Sequence, residues 1–278
     1  MIITVPVAAR SGEVPVEVEV HGAGTPVLMV HGWGVDRRLM TGCMEPLFGE
    51  DAGWLRVYPD LPGRGGTPAH ASVDSADATA RLLVDLMTAV APGERFAVVG
   101  ESWGGHVARG VLDLQPDLLG MALVCPAVRS GEADVDPPVA VERDEALLAG
   151  LDARDRAGFA ANNARLTRAV WERNVAEILP GLASADQDYL AHVLGPGRSL
   201  TRDDATTDAP VLVIAGRQDA VVGFREQWGL AQRYPRATFA VLDTAGHNAQ
   251  LEQPGLFGAL VGEWLERVGR YAGRALSA

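Results

Sequence analysis

The amino-acid sequence predicts a doubly wound α/β fold built on a mostly parallel sheet. Short apolar runs alternate with helical segments along most of the 278 residues. Several of these runs are apolar throughout and end at glycine or proline, which is typical of strands that are covered by helices on both faces. Strand–helix alternation of this kind indicates a parallel sheet flanked by helices. The chain is long enough to bury a sizeable core.

Six strands are predicted in the first 126 residues. Residues 14–20 alternate V-P-V-E-V-E-V, which is the period-2 pattern of a half-exposed strand. The other five are short apolar runs, at residues 2–7, 27–30, 55–58, 96–99 and 121–125. Helices are predicted at residues 76–90, where leucines follow i, i+3 and i+4 spacing, and at residues 106–114.

The alternation pauses from about residue 127 to residue 208. Helical patches in this stretch are separated by Pro-Pro at 137–138, Pro-Gly at 180–181 and Gly-Pro-Gly at 195–197. The stretch holds nine arginines and fifteen acidic residues, and so carries half of the formal net charge of -12. We predict that residues 127–208 form a helical lid (cap), inserted into a core of residues 1–126 and 209–278.

The last part of the chain returns to the α/β pattern. Strands are predicted at residues 211–215 and 239–242, and helices at residues 224–232 and 256–268. The final helix is amphipathic, and we expect it to bury one face, formed by Leu256, Leu260, Trp264 and Val268.

The composition excludes several chemistries. All 24 basic residues are arginine, against 36 acidic residues. A chain without lysine can form no lysine Schiff base and no Walker A phosphate loop, which excludes pyridoxal enzymes and nucleotide-binding loops of that type. The acid excess argues against a nucleic-acid partner, because nucleic-acid binding requires a basic surface.

The cysteines and the N-terminus predict a soluble cytoplasmic protein that binds no membrane. Cys43 and Cys125 lie in apolar stretches and resemble small buried hydrophobes, with neither metal-site nor disulfide spacing. The first residues lack the basic and apolar regions of a signal peptide, and no apolar run approaches the roughly 18 residues of a membrane span. The sequence carries no signal of oligomeric state.

The strongest local motif is G-x-S-x-G, which reads G-E-S-W-G at residues 100–104, between a predicted strand and a predicted helix. A sharp turn there lifts Ser102 above the sheet edge, and Gly100 and Gly104 relieve the crowding on either side. The helix that follows directs its free N–H groups and its positive dipole end at the site. The motif predicts a nucleophilic serine, with a glycine-rich turn carrying an incidental serine as the alternative.

A serine nucleophile needs a base, and the sequence offers six histidines. His247 follows the predicted strand at 239–242, and the carboxyl ends of strands in open parallel sheets are where ligand-binding loops gather. His31 also follows a strand, but the adjoining Gly-Trp-Gly favours a structural hydrogen bond within the turn. We expect solvated or capping roles for the other four, His21, His70, His106 and His192.

The base in turn needs an acid that orients it. Asp219 is the first choice, because it follows the predicted strand at 211–215 and so lies at another carboxyl strand end. Asp243 is closer to His247 along the chain, but we expect it to cap the preceding strand. Asp134 and Asp136 are the alternative acid.

These motifs together resemble the α/β-hydrolase superfamily, over almost the whole chain. They are H-G-W-G at residues 31–34, D-L-P-G-R-G at 60–65, G-E-S-W-G-G at 100–105, G-R-Q-D at 216–219 and G-H at 246–247. The resemblance implies an eight-stranded sheet with a helical lid inserted after the sixth strand. It implies a catalytic triad of Ser102, His247 and Asp219, and an oxyanion hole made by the backbone N–H groups of Trp33 and Trp103.

Other enzymes on this fold differ from the chain at identifiable positions. Epoxide hydrolases and haloalkane dehalogenases use an aspartate in place of Ser102. Proline iminopeptidases share S-W-G but usually carry H-G-G-P-G, which Trp33 and Gly34 do not match. Carbon–carbon bond hydrolases have a run comparable to G-H-N-A-Q-L-E at residues 246–252, although they commonly have tryptophan in place of Asn248.

The sequence therefore predicts a serine hydrolase that cleaves a small carboxylic ester or lactone through an acyl-enzyme, without a metal or other cofactor. A carbon–carbon bond or amide hydrolase with the same triad is the first alternative, and a non-catalytic binding protein of the same fold is the second. We expect a neutral, partly apolar small-molecule substrate that contacts the indoles of Trp33, Trp103 and Trp171.

The predicted lid is expected to select the substrate. Its apolar side chains are predicted to line the entrance, with Phe159, Leu166, Trp171, Tyr189 and Leu194 as candidates. Arg165, Arg168 and Arg173 could hold a substrate carboxylate, although ion pairs with neighbouring acids on the helix surface are the more common arrangement.

Overall fold

A computed structural model describes residues 1–49, 52–128 and 135–273. Eight strands form one sheet, and in chain order they are β1 (Ile2–Ala9), β2 (Gly12–His21), β3 (Thr25–Val30), β4 (Trp54–Pro59), β5 (Ala97–Glu101), β6 (Gly120–Val124), β7 (Val211–Gly216) and β8 (Ala237–Leu242). Their order in space is β1-β2-β4-β3-β5-β6-β7-β8. The β1–β2 and β2–β4 pairs are antiparallel and the other five are parallel, which confirms the predicted mostly parallel sheet.

Helices cover both faces of this sheet. The α-helices in the described residues are α1 (Arg38–Met44), α2 (Ala76–Val90), α3 (Trp103–Leu114), α4 (Glu145–Gly150), α5 (Ala153–Asn162), α6 (Arg168–Glu177), α7 (Leu179–Ser184), α8 (Arg225–Ala231), α9 (Ala249–Glu252) and α10 (Pro254–Tyr271). A 3-10 helix (Glu45–Leu47) and a π-helix (Tyr189–Leu194) are also present. Alternate strand residues enter different apolar clusters, since side chains point to opposite faces of a strand in turn. Leu28 and Val30 pack with α2 and α3, whereas Val27 and Met29 pack with α1 and α10.

The helices α4 to α7 are inserted between β6 and β7, and therefore follow the sixth strand of the sheet. A parallel pair of two-residue strands, Glu142–Arg143 and Arg165–Leu166, also lies in this insertion. Its apolar cluster includes Phe159 and Ile178 together with Val35 and Leu251 of the surrounding structure. The inserted helices are thus held by side chains outside them. Their function as a lid, and its limits at residues 127 and 208, remain predictions.

Most predicted elements lie within a few residues of the observed ones. The helix α2 has the predicted bounds, and the Ser75 side chain caps it by accepting a hydrogen bond from the Ala78 N–H. The helix α3 begins at Trp103, three residues earlier than predicted, directly after the turn at Ser102. The short helix α1 was not predicted, because seven residues are too few to establish a helical period.

Two burial expectations are corrected by the structure. Leu256 was assigned to the buried face of α10 but is 53% exposed, whereas Trp264 and Val268 are fully buried. The buried face of α10 begins at Phe257 and continues through Val261, Trp264 and Val268, so Leu256 lies one residue off it, about 100° around the helix. His106, for which we expect a solvated or capping role, is buried, and its Nε2 accepts a hydrogen bond from the Leu200 N–H.

The described residues also test the expectations about cysteine and membrane spans. Cys43 and Cys125 are both buried free thiols, as predicted. Burial raises the pKa of each thiol above its ordinary value. Within the described ranges, no helix combines the length and the apolar character that crossing a bilayer requires.

Replacing Trp264 with alanine tests the core between α10 and the sheet. The indole is fully buried, and its Nε1 donates a hydrogen bond to the Pro210 carbonyl at 3.0 Å. We expect Trp264→Ala to lower the free energy of unfolding by about 3–5 kcal/mol, because a large cavity replaces the ring. Leu256→Ala on the same helix is the matched control and should change it by less than about 0.5 kcal/mol. Urea unfolding followed by circular dichroism measures both, and equal losses would contradict the burial argument.

Candidate active site

Ser102 occupies a strained turn between β5 and α3, with φ 53° and ψ -120°. Its N–H donates to the Val124 carbonyl at 2.9 Å, which fixes the turn against the neighbouring strand. A Cβ on Gly104 would overlap the carbonyl oxygens at the end of β3, and one on Gly100 would overlap the backbone of Gly104. Glycine at these two positions allows backbones to approach closely, and this packing holds Ser102 at the sheet edge.

The structure brings Ser102, His247 and Asp219 together. His247 Nε2 is 2.9 Å from Ser102 Oγ, and His247 Nδ1 is 2.9 Å from Asp219 Oδ2. Asp219 follows β7 and His247 follows β8, so three different strands deliver the three side chains at their carboxyl ends. The second oxygen of Asp219 accepts hydrogen bonds from the Val221 and Val222 N–H groups, at 2.8 and 3.0 Å. These bonds fix the carboxylate that orients the imidazole.

The imidazole of His247 is buried among carboxylates. Burial alone lowers the pKa of His247, but the charge and hydrogen bond of Asp219, followed by the charges of Glu101 and Glu252, outweigh it and raise the pKa to about 9. A raised pKa means that the site favours the imidazolium more than water does. The carboxylates therefore stabilise the charge that the imidazole gains when it accepts a proton.

Glu101 is a site residue that the sequence did not reveal. It is buried, lines the cavity beside Ser102, and places Oε1 3.6 Å from His247 Nε2. Desolvation is the main cause that raises the pKa of Glu101 to about 7, partly opposed by His247. The residue occupies a variable position of G-x-S-x-G, and this position carries no signal of which neighbour the side chain will face.

Glu252 anchors the loop that carries His247. Its buried carboxylate accepts hydrogen bonds from the N–H groups of Gly246, Ala164 and Arg165, at 2.6, 2.6 and 2.7 Å. The His247 N–H in turn donates to the Asn162 carbonyl at 2.9 Å. The loop after β8 and the end of α5 are therefore bound to each other at the position of His247.

Trp33 and Trp103 lie near the serine: Trp103 follows Ser102 directly, and a Cβ on Gly32, the residue before Trp33, would lie 3.2 Å from Ser102 Cβ. Trp103 is the first residue of α3, so the helix itself provides no acceptor for its N–H. The two indoles meet edge to face with ring centroids 5.2 Å apart, and the buried guanidinium of Arg64 lies 5.5 and 5.1 Å from the Trp33 and Trp103 rings. These contacts fix both residues beside the turn at Ser102. Their role as oxyanion donors remains a prediction.

His31 has the structural role that its sequence context indicates. Its Nε2 accepts a hydrogen bond from the Leu61 N–H at 3.0 Å, and its Nδ1 is 2.9 Å from the Gly32 carbonyl. Desolvation by burial, with the nearby charge of Arg64, lowers the pKa of His31 to about 3. The ring is therefore neutral and joins the turn after β3 to the turn after β4.

A cavity of about 540 Å³ opens over Ser102 and His247. Apolar side chains dominate its wall. They come from the loop after β3, from α1 and from the insertion: Val35, Leu39, Phe159, Ile178 and Leu182. Trp33 lines the cavity, as expected. Trp103 and Trp171 do not. The Trp103 indole turns away and donates to the Arg198 carbonyl at 3.1 Å, and Trp171 packs behind Phe159 with ring centroids 5.2 Å apart.

The other polar candidates lie elsewhere. Arg165 and Arg173 form ion pairs with Glu142 and Glu177, and neither lines the cavity. The cavity wall instead includes Arg154 of α5, which had no special signal in the sequence. Asp136 accepts a hydrogen bond from Arg225 at the surface, away from His247, and Asp134 lies outside the described residues.

The part of the chain that the structure describes contains no cluster of candidate metal ligands. No three His, Cys, Asp or Glu side chains are arranged there so that they could hold an ion. That the chemistry proceeds without a metal or cofactor stays a prediction, based on the side chains around Ser102.

Comparison with known proteins identifies a family and several relatives that are named as hydrolases or esterases. Residues 27–260 match the model of the alpha/beta hydrolase family. A pimeloyl-[acyl-carrier protein] methyl ester esterase of Aeromonas salmonicida is 27% identical over 266 residues, covering 88% of this chain and 97% of that protein. A 2-hydroxymuconate semialdehyde hydrolase of Pseudomonas sp. strain CF600 is 26% identical over 277 residues, covering 88% of each.

Solved structures share the fold. An alpha/beta superfamily hydrolase from Oenococcus oeni superimposes with a TM-score of 0.84 at 23% identity, covering 95% of this chain and 99% of that one. A thermophilic esterase from Thermogutta terrifontis gives a TM-score of 0.69 at 24% identity, covering 96% and 99%. At these identities the likeness establishes the architecture.

Glu252→Ala tests the anchor of the His247 loop. Two buried N–H groups and one half-buried N–H group would lose their acceptor, and we expect the free energy of unfolding to fall by about 3 kcal/mol or more. Glu263→Ala, at an exposed site of α10, should change it by less than about 0.5 kcal/mol. Urea unfolding compares the two variants. An unperturbed Glu252→Ala protein would show that the loop is held by other contacts.

Proposed function

Since the chain belongs to the α/β-hydrolase family and is an enzyme of the hydrolase class, we propose that it cleaves a small carboxylic ester or lactone through an acyl-enzyme. One observation carries this proposal. Hydrogen bonds join Ser102 to His247 and His247 to Asp219, and Ser102 lines an apolar cavity. A hydroxyl bonded to an imidazole, which is itself oriented by a carboxylate, is the arrangement that activates a serine nucleophile.

The first half of the proposed reaction forms the acyl-enzyme. His247 Nε2 accepts the Ser102 proton while Oγ attacks the acyl carbon, and Asp219 stabilises the imidazolium that results. The N–H groups of Trp33 and Trp103 donate to the oxyanion of the tetrahedral intermediate, and each such donor can contribute about 3–4 kcal/mol. His247 then gives its proton to the leaving alkoxide, so that an alcohol departs.

The second half regenerates the enzyme. His247 accepts a proton from a water molecule while the oxygen of that water attacks the acyl carbon. The proton then passes to Ser102 Oγ as the acid is released. For a lactone, the leaving hydroxyl remains attached to the acyl group, and a single hydroxy acid is the product.

The cavity supports a partly apolar small molecule as substrate. Its wall is mainly aliphatic and aromatic, and its charged groups are of both signs, with Glu101 and Asp155 opposite in sign to Arg154. The insertion carries an excess of acidic residues, which repels anions from its surface. A neutral ester fits these features, and the relative named as a methyl ester esterase supports ester chemistry.

A carbon–carbon bond hydrolase with the same triad is the second candidate. The relative named 2-hydroxymuconate semialdehyde hydrolase, together with the run at residues 246–252, favours it specifically. Parallel assays with a p-nitrophenyl ester and with a ring-cleavage product of a catechol separate the two. A higher kcat/KM for the second substrate would favour the carbon–carbon hydrolase. A non-catalytic binding protein is disfavoured, because binding requires no base oriented by an acid.

Ser102→Ala tests the nucleophile. We expect kcat on a short-chain p-nitrophenyl ester to fall by about 10³-fold or more, since the attacking oxygen is lost. A fluorophosphonate probe should label the unmodified protein once and the variant not at all, as intact-mass spectrometry measures. An unchanged rate, or labelling of the variant, would reject Ser102.

Asp219→Asn tests the acid. The amide can neither fix the imidazole tautomer nor balance its charge, and we expect kcat to fall by about 10³- to 10⁴-fold with little change in KM. Asp136→Asn is the matched control, because Asp136 was the alternative acid and is bound to Arg225 at the surface. Steady-state kinetics should find the control at the unmodified rate. A larger loss in the control would assign the acid to the other loop.

A further inference from the structure

Glu101 gives the site a second carboxylate on the far side of the imidazole from Asp219. Asp219 contacts His247 Nδ1, whereas Glu101 Oε1 lies 3.6 Å from Nε2, the nitrogen that exchanges the proton with Ser102. The glutamate side chain is only 4% exposed, so little water screens its charge. The ester chemistry needs one orienting acid, and Asp219 already supplies it.

The position of Glu101 is fixed by its surroundings. The residue ends β5, directly before Ser102. A Cβ on Gly32 would overlap Glu101 Oε2, so the carboxylate fills the space that the glycine leaves open. The Gly32 N–H also favours its ionised form. The carboxylate is therefore seated against the turn after β3, on the side of the site where His247 lies.

We propose that Glu101 is a positioning residue that holds a negative charge against Nε2 of His247 and so moves the working range of the enzyme to alkaline pH. The proposal rests on the proposed function, because it concerns His247 as the base for Ser102. An anion at this distance favours the imidazolium, and an imidazolium cannot accept the serine proton.

The charged groups around the pair support this direction. His247 faces Asp219 after β7 and Glu252 of α9 in addition to Glu101, and all three raise its pKa. The nearest thiols, Cys43 of α1 and Cys125 after β6, have pKa values raised by burial and stay neutral. Across the cavity, α5 contributes one residue of each sign, Arg154 and Asp155.

The order of the two titrations gives the sign of the effect. The pKa of His247 is raised to about 9 and that of Glu101 to about 7. As the pH falls, the imidazole is therefore protonated first, while Glu101 is still ionised, and the base is lost. Removing the charge of Glu101 destabilises the imidazolium, and the imidazole then stays neutral to lower pH.

Glu101→Gln keeps the size of the side chain and removes its charge. We expect the acid limb of the kcat/KM profile to move down by about one to two pH units. Activity at neutral pH should then rise relative to the unmodified enzyme. Glu145→Gln is the control, because Glu145 is exposed on the insertion and pairs with Arg143, and its profile should coincide with the unmodified one. An acid limb that stays in place in Glu101→Gln overturns the proposal.

The labelling rate of Ser102 by a fluorophosphonate, measured over the same pH range, separates this proposal from the proposed function. It reports the activated serine whatever the natural substrate is. Absence of labelling at every pH would reject the nucleophile itself. Labelling with an acid limb that Glu101→Gln does not shift would reject only the role of Glu101.

A measurement on the unmodified protein makes the test independent of whether the variant folds. The ¹⁵N chemical shifts of the His247 ring report its charge directly, with Ser102 and Glu101 both in place. We expect a protonated ring at neutral pH that loses its proton at alkaline pH. A ring that is already neutral at neutral pH overturns the proposal.

Discussion

The close packing of the turn at Ser102, residues 100–104, against the end of β3 is the constraint on which the rest of the site depends. Gly104 lies so near the β3 carbonyl oxygens that no side chain fits there, and Gly100 is packed against Gly104 in the same way. This contact allows the strained backbone of Ser102, which is held by the sheet on both sides. The serine consequently stands at the edge where β5, β7 and β8 all end.

Burial at this edge of the sheet determines the electrostatics of the site. His247 has lost most of its water, and carboxylates take the place of solvent around it. Asp219 fixes the ring at Nδ1 and Glu101 adds charge near Nε2. The His247 imidazole is therefore stabilised as a cation. This stabilisation helps when the ring accepts a proton, but it disfavours the neutral ring before the reaction.

The inserted helices contribute to the site in two ways. Phe159 and Ile178 form apolar wall over the serine. The segment after α5 is also bound to the His247 loop, through the Glu252 carboxylate and the Asn162 carbonyl. The insertion and the His247 loop therefore share hydrogen bonds, and a change in the insertion near residues 162–165 acts on His247 as well as on the cavity.

The sequence by itself determined the sheet, the helix α2 and the positions of Ser102, Asp219 and His247, because these depend on local periodicity and on loops that must follow a strand. Only the tertiary structure decided that Glu101 faces His247, that Trp103 and Trp171 do not line the cavity, and that Leu256 is exposed. Which neighbour a side chain meets depends on elements far away in the chain, such as β3 and β8 for Glu101. Periodicity and spacing record the face of an element but not what packs against that face.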